Sequence, residues 1–154
     1  MTFTIALPVA DRVASHDFYR AVLETGPIQP AGGDGQPGGD GQPSGDGQPS
    51  GDGLPSGDGL PEPLRFELAD GVALMLVPAD GFAWAIGEHA VAPAGTSECV
   101  LHRPVPGRDD VRAVIERARA AGGRVVTEPA DQPWGYAGTF ADPDGHLWMV
   151  MPEF

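Results

Sequence analysis

Glu98 and His102 are the residues whose types and spacing best suit chemistry. They stand four apart in a run, Glu98 to Val105, that reads as a strand, and a period of two puts both side chains on one face. Such a pair could serve as acid and base or as a two-residue metal anchor. It could equally be a strand-end carboxylate beside a partly exposed polar side chain. Two ligands rarely hold a metal tightly. His16, His89 and His146 form no His-x-His or His-Glu-x-x-His spacing. Tyr136 is a third acid/base candidate. The single cysteine, Cys99, excludes an intramolecular disulfide and a Cys-rich zinc site. All nine basic residues are arginines, which excludes Schiff-base chemistry on lysine.

A second group of residues suits binding. The stretch Asp131-Gln132-Pro133-Trp134-Gly135-Tyr136 reads as a loop carrying two aromatics. Trp and Tyr can stack on a planar ligand and still offer a hydrogen bond. Phe66 and Trp84 are further aromatic candidates, although any of the four could be a core or dimer contact. Met75 and Met149 each lie four residues after a turn glycine, Gly71 and Gly145. Methionine is an adaptable apolar contact.

The elements that must position these residues follow from periodicity. Phe3 to Val9 reads as a strand. Asp11 caps a helix whose face holds Ala14, Phe18, Val22 and Leu23, stopped by Gly26-Pro27. Arg65 to Leu68 and Val72 to Val77 form a hairpin about Ala69-Asp70-Gly71. After a loop from Gly81 to Thr96, the Glu98 strand leads to a helix capped by Asp109 or Asp110. That helix carries Val111, Val114, Ile115 and Ala118 on one face and ends at Gly122-Gly123. Strands over Arg124 to Thr127, Gly138 to Ala141 and His146 to Met151 complete the order. Each half runs strand, Asp-capped helix, hairpin with an Asp-Gly turn. The first half has room for one more short strand near Ile28.

Between the first helix and the first hairpin a hexad repeats, placing Asp at 34, 40, 46, 52 and 58. Nothing in the unit can build a core, so the tract is expected to be a solvated, disordered insertion. Weak Ca²⁺ binding is the alternative reading of the spaced Asp residues. Deleting Gly35 to Pro55 is expected to leave the melting temperature nearly unchanged, and a large drop would make the tract structural. The net charge of -13, from 22 acidic and 9 basic residues, disfavours a nucleic-acid partner. No secretory leader pattern and no apolar run of spanning length is present, so a cytoplasmic protein with no membrane partner is expected.

The closing stretch Phe140-Ala141-Asp142-Pro143-Asp144-Gly145-His146-Leu147-Trp148-Met149 resembles the last hairpin of the vicinal oxygen chelate superfamily, which includes glyoxalase I, extradiol dioxygenases and bleomycin-resistance proteins. The resemblance covers nearly the whole chain outside the repeat tract and is most specific over Val9 to Leu23 and Ala118 to Val150. It implies an α+β fold of two βαβββ modules forming cupped mixed sheets. Residues 1–30 and 64–80 would make the first module, 31–63 the insertion, 81–96 a linker and 97–154 the second. Metal-dependent relatives hold His, Glu or Gln at four inward strand positions. Those positions correspond here to Thr4, Met75, Glu98 (or Val100) and Met149, so no metal and no other cofactor is expected. Thr4, Ala6, Ala73, Met75, Leu147 and Met149 would line the inward faces.

The resemblance is closest to the metal-free branch. It implies a homodimer that captures a toxic, aromatic or amphipathic natural product, as in antibiotic self-resistance. Phe66, Met75, Trp84, His102, Trp134, Tyr136, Leu147 and Met149 are the expected ligand contacts. The net charge favours a cationic or neutral ligand. The alternative is an enzyme of the same superfamily, glyoxalase-like, dioxygenase-like, or a metal-free lyase, isomerase or cyclase, using Glu98, His102 or Tyr136.

Overall fold

A computed structural model describes residues 3–29, 57–87, 89–97 and 99–153. Most of the repeat tract therefore lies outside the described residues, as do Glu98 and the side chain of Trp84. The elements run β1 (Phe3–Val9), α1 (Arg12–Leu23), β2 (Leu64–Ala69), β3 (Val72–Pro78), a short α2 (Ala83–Ile86), β4 (Val100–Val105), α3 (Arg108–Ala120), β5 (Arg124–Gln132), β6 (Gly135–Ala141) and β7 (Leu147–Pro152). They form two mixed sheets of order β1-β3-β2 and β4-β7-β6-β5. The class is α+β, as expected. Each sheet places its first strand parallel to its last, β1 on β3 and β4 on β7, with antiparallel hairpins beyond. The second half is a complete βαβββ unit. In the first half, Ile28 donates one backbone hydrogen bond to the Arg65 carbonyl (2.7 Å) at the place where a fourth strand would lie.

Helix α1 starts where Asp11 Oδ1 accepts from the Val13 and Ala14 amides at 2.9 and 3.0 Å. This is the N-cap geometry that the sequence calls for. Its buried face is Ser15, Phe18, Tyr19 and Val22. Ala14 faces solvent instead, because the large aromatics Phe18 and Tyr19 together set the rotation of the helix. Helix α3 corrects another expectation. Its N-cap is Gly107, with no side-chain bond, and Asp109 and Asp110 sit in the first turn. There they face the positive end of the macrodipole rather than capping it. Val111, Val114, Ile115 and Ala118 are buried as expected. The loop expected after Thr127 is also corrected. Strand β5 continues to Gln132 and turns over Pro133-Trp134 into β6. The hydrogen-bonded ladder with β6 overrides the Pro residues, with register shifts taking up the irregularity.

Helices α1 and α3 and the helix-facing sides of both sheets share one hydrophobic core. Phe18 meets Tyr19 edge-on at 5.3 Å, and Tyr19 lies 5.9 Å from Trp148 across the two halves. Phe140 stacks parallel on Trp148. Gly123 permits the close approach of α1, α3 and β6. A Cβ there would stand 2.8 Å from Phe18 Cε2, 2.9 Å from the Ala118 carbonyl oxygen and 3.0 Å from the Ala141 carbonyl oxygen. Two of those three neighbours are backbone. Gly123→Ala is therefore expected to cost about 2 kcal/mol by overpacking, read as a shift of the urea midpoint at unchanged slope. An unchanged midpoint would show that the helix end can move away freely.

Candidate functional site

Strand alternation divides each sheet into a helix side and an open side. In the first sheet Leu7, Val9, Leu64, Phe66, Leu74 and Leu76 point to the helices and are buried. The residues between them, Thr4, Ala6, Arg65, Glu67, Met75 and Val77, belong to the other side. In the second sheet Trp148, Val150 and Phe140 are buried toward the helices. Val100, His102, Thr139, Leu147 and Met149 then fall on the opposite side.

Register places these residues in rows. On the first sheet Ala6 pairs with Met75, and Met75 with Arg65. On the second, His102 pairs with Met149, and Met149 with Thr139. The two rows occupy equivalent places in the two halves, each centred on a methionine. Met75, Leu147 and Met149 are half-buried, and Thr4 and His102 are exposed. Ala73 is buried although it lies on the open side.

Two expected contacts fall elsewhere. Phe66 is fully buried in the core, with its ring 6.0 Å from Tyr19 and 6.1 Å from His16. It points to the helices because Leu64, Phe66 and Leu68 share one parity. Tyr136 is also buried. It shares parity with Phe140, and its ring lies beneath the guanidinium groups of Arg108 (4.6 Å) and Arg112 (5.4 Å) of α3. It is a packing residue of the helix side, held by cation–π contact, and not a group of the open face. Trp134 stands 61 % exposed in the β5–β6 turn, away from both methionine rows in sequence register. Glu98 and the Trp84 side chain lie outside the described residues, so the Glu98–His102 pairing is not described. His16 lies on the first helix, half-buried beside Phe66. Its side chain is 12 % exposed, with Nδ1 2.9 Å from Asp17 Oδ1, and does not face solvent.

Two cavities are present among the described residues. One, of about 560 Å³, is walled by Ile5, Leu68, Leu101 and Trp148, which have the parity of the helix side, and by Leu23 of α1, with His102, Arg103, Glu67 and Glu153 among its polar groups. Arg103 donates through Nη1 to the Val22 carbonyl at 2.7 Å, at the end of α1. Burial, and then the charge of Arg117, pull its pKa below the usual arginine value. The second cavity, of about 290 Å³, is formed by Ile28, Arg65, Glu67, Gly71, Val72 and Ala73.

The closing turn, which the sequence marks only as a hairpin, joins Tyr19 of α1 in a polar cluster. The Tyr19 hydroxyl donates to Asp142 Oδ2 at 2.5 Å, and Trp148 Nε1 donates to the Tyr19 oxygen at 3.2 Å. Asp142 Oδ1 accepts the amides of Asp144 (3.0 Å) and His146 (2.8 Å). Burial raises the pKa of Asp142. Burial first, and then the Asp142 charge, raise that of Tyr19 well above the usual phenol value. Asp144 in turn accepts from the Ala10 amide (2.8 Å) and the Ser15 hydroxyl (2.9 Å), and His146 Nε2 lies 2.8 Å from the Pro8 carbonyl oxygen. The cluster is a clamp between the β6–β7 turn and the β1–α1 junction.

The donor set does not fit a divalent metal at the methionine rows. Thr4, Met75 and Met149 bring a hydroxyl and two thioethers, whereas Zn²⁺, Ni²⁺ or Fe²⁺ sites take imidazole, carboxylate or thiolate. Among the described residues no group of three or more His, Cys, Asp or Glu side chains could hold a metal ion. No helix among them is long and apolar enough to cross a membrane.

Comparison with known proteins agrees with this architecture. Residues 3–150 match the family model described as the Glyoxalase/Bleomycin resistance protein/Dioxygenase superfamily. A glyoxalase-related enzyme from Fulvimarina pelagi superposes with a TM-score of 0.70 at 23 % identity, covering 99 % of this chain and 88 % of that one. A glyoxalase/bleomycin resistance protein/dioxygenase family enzyme from Burkholderia phytofirmans PsJN gives 0.62 at 13 % identity, with 98 % and 97 % covered. TioX from Micromonospora sp. ML1 gives 0.54 at 18 % identity, with 100 % and 99 % covered. At these identities the likeness is one of fold. No curated protein matches the chain.

Proposed function

Because the chain belongs to the Glyoxalase/Bleomycin resistance protein/Dioxygenase superfamily, we propose that it is a metal-independent binding protein for a small molecule, a natural product that it sequesters in the manner of antibiotic self-resistance. The observation that carries this reading is the pair of equivalent rows Ala6–Met75–Arg65 and His102–Met149–Thr139 on the open faces. Two methionines offer polarizable, adaptable surface where a metal centre would need hard or nitrogen donors. The faces are partly apolar and solvent-accessible, with Val100 49 % exposed beside them. A second copy of the chain covering these faces would complete an enclosed site, so a homodimer forms part of the proposal.

Metal content tests the first half of the reading. Purified protein incubated with Ni²⁺, Zn²⁺, Mn²⁺ and Fe²⁺ and then desalted is expected to retain no stoichiometric metal. One tightly held equivalent would overturn metal independence and make Glu98 and His102 the first ligands to replace. Binding tests the second half. Met149→Ala is expected to weaken capture of an uncharged apolar fluorophore roughly tenfold, the loss of one buried thioether side chain. An affinity that did not change would move the site off the second sheet.

A further inference from the structure

Arg65 is the cationic group on the open face of the first sheet, and among the described residues the packing gives it no ion-pair partner. It projects opposite to Leu64 and Phe66, which are buried in the core. Its backbone is fixed on both sides, by the Arg65–Met75 pairing with β3 and by the Ile28 amide bonded to its carbonyl. Its Nε is buried and has no hydrogen-bond partner. The other described arginines with a buried, unbonded Nε, Arg12 and Arg117, have carboxylate partners in Glu62 and Glu24. Arg65 forms no ion pair among the described residues. Glu67, two residues on and lining the same 290 Å³ cavity, is exposed and not within ion-pair distance of it.

Its Nε is closed off by the packing, so a ligand in the 290 Å³ cavity would meet the guanidinium through its Nη groups. A guanidinium presents its donors in a planar fork that matches the oxygens of a carboxylate or a similar oxyanion. We propose that the molecule bound at the Met75 row carries an oxyanion and that Arg65 receives it, with Met75 beside it taking the apolar body. This rests on the reading of the open faces as a binding site. It also reverses the preference for a cationic or neutral ligand drawn from the net charge of -13. A charge spread over the whole surface is screened within about 10 Å at ordinary salt, whereas Arg65 acts at contact.

Two fluorophores that differ in one anionic group test it on the full chain: 1-anilinonaphthalene-8-sulfonate and its uncharged parent N-phenyl-1-naphthylamine. Arg65→Gln is expected to weaken the sulfonate roughly tenfold, as for loss of a charge-assisted bond, and the neutral probe less than twofold. Arg65→Lys should retain part of the sulfonate affinity. Arg124→Gln, which removes the same charge from an exposed strand end, should change neither probe. If Arg65→Gln weakens both probes equally, or leaves the sulfonate unaffected, the oxyanion assignment fails while the apolar site stands. If the unaltered protein binds neither probe, the binding-site reading fails and the assignment with it.

Discussion

Asp142→Ala is expected to destabilise the fold by about 3 kcal/mol, because it removes an ionisable acceptor of three hydrogen bonds from a site only 3 % exposed. The Tyr19 hydroxyl would keep the bond it accepts from Trp148 Nε1 but lose its own acceptor. The amides of Asp144 and His146 would both lose the one oxygen they share, and the turn that starts β7 would lose its organiser. At this chain length the loss corresponds to a melting-temperature drop on the order of 10 °C. Asp142→Asn should cost less, about 1–2 kcal/mol. One oxygen remains for the two amides, and the new amide group can donate to the Tyr19 oxygen. If alanine and asparagine lose equally, the carboxylate's geometry is not what holds the turn.

The same pair of variants reads out the electrostatics. Burial raises the pKa of Asp142 in the folded chain. Between the ordinary carboxylate value of about 4 and that raised value, the folded state holds a proton that the unfolded state has released. Stability then falls as pH rises through the window. The contribution of Asp142 is fully present below the ordinary value and declines above it. Asparagine has no such step. The stability of the unaltered protein minus that of Asp142→Asn should therefore become less favourable as pH increases from about 4. A difference that grew more favourable over that range would mean that the bonds from Tyr19 and the two amides outweigh burial.

Much of this fold is legible from periodicity alone, because the helical faces Phe18–Val22 and Val111–Ala118 and the Asp-Gly turns are local signals. The positions of Met75 and Met149 are legible too, since counting four from a turn glycine fixes parity, and parity fixes the side of a sheet. What sequence reading misses depends on long-range partners. Tyr136 looks like a rim aromatic because Pro133 and Gly135 flank its loop. Only the packing of α3 puts Arg108 and Arg112 over its ring. Phe66 has the right chemistry for a pocket but the wrong parity, and Leu64 two residues earlier carries that sign. Arg65 carries a signal of its own, an arginine alternating with core residues, yet its missing partner becomes visible only once the neighbouring strands are in place. The Asp142–Tyr19 contact spans 123 positions, and no local pattern announces it.

Among the described glycines, Gly145→Ala should be the most damaging single-methyl change, at about 3 kcal/mol or more. Two independent penalties meet there. Gly145 has φ +98°, in the region that costs an L-residue about 1–2 kcal/mol. A Cβ would also stand 2.8 Å from the backbone nitrogen of Gly95, and a backbone atom cannot rotate aside as a side-chain tip can. Gly122 separates the two penalties, since it has φ +94° but nothing within 4 Å of its Cβ. Gly122→Ala should therefore show the conformational cost alone, and the excess at Gly145 measures the contact with the linker. Relief at Gly145 would have to move either residues 94–95 or the turn. Moving the turn disturbs Asp144, which holds the Ala10 amide and the Ser15 hydroxyl, and His146, which meets the Pro8 carbonyl. Those bonds tie the start of β7 to the end of β1, and so they fix the separation of the Met149 and Met75 rows. Gly145→Ala is thus expected to weaken capture of an uncharged fluorophore as well as to lower the melting temperature, whereas Gly122→Ala should change the melting temperature alone. Equal destabilisation by the two variants would show that the linker yields without cost and that the clamp does not set the distance between the faces.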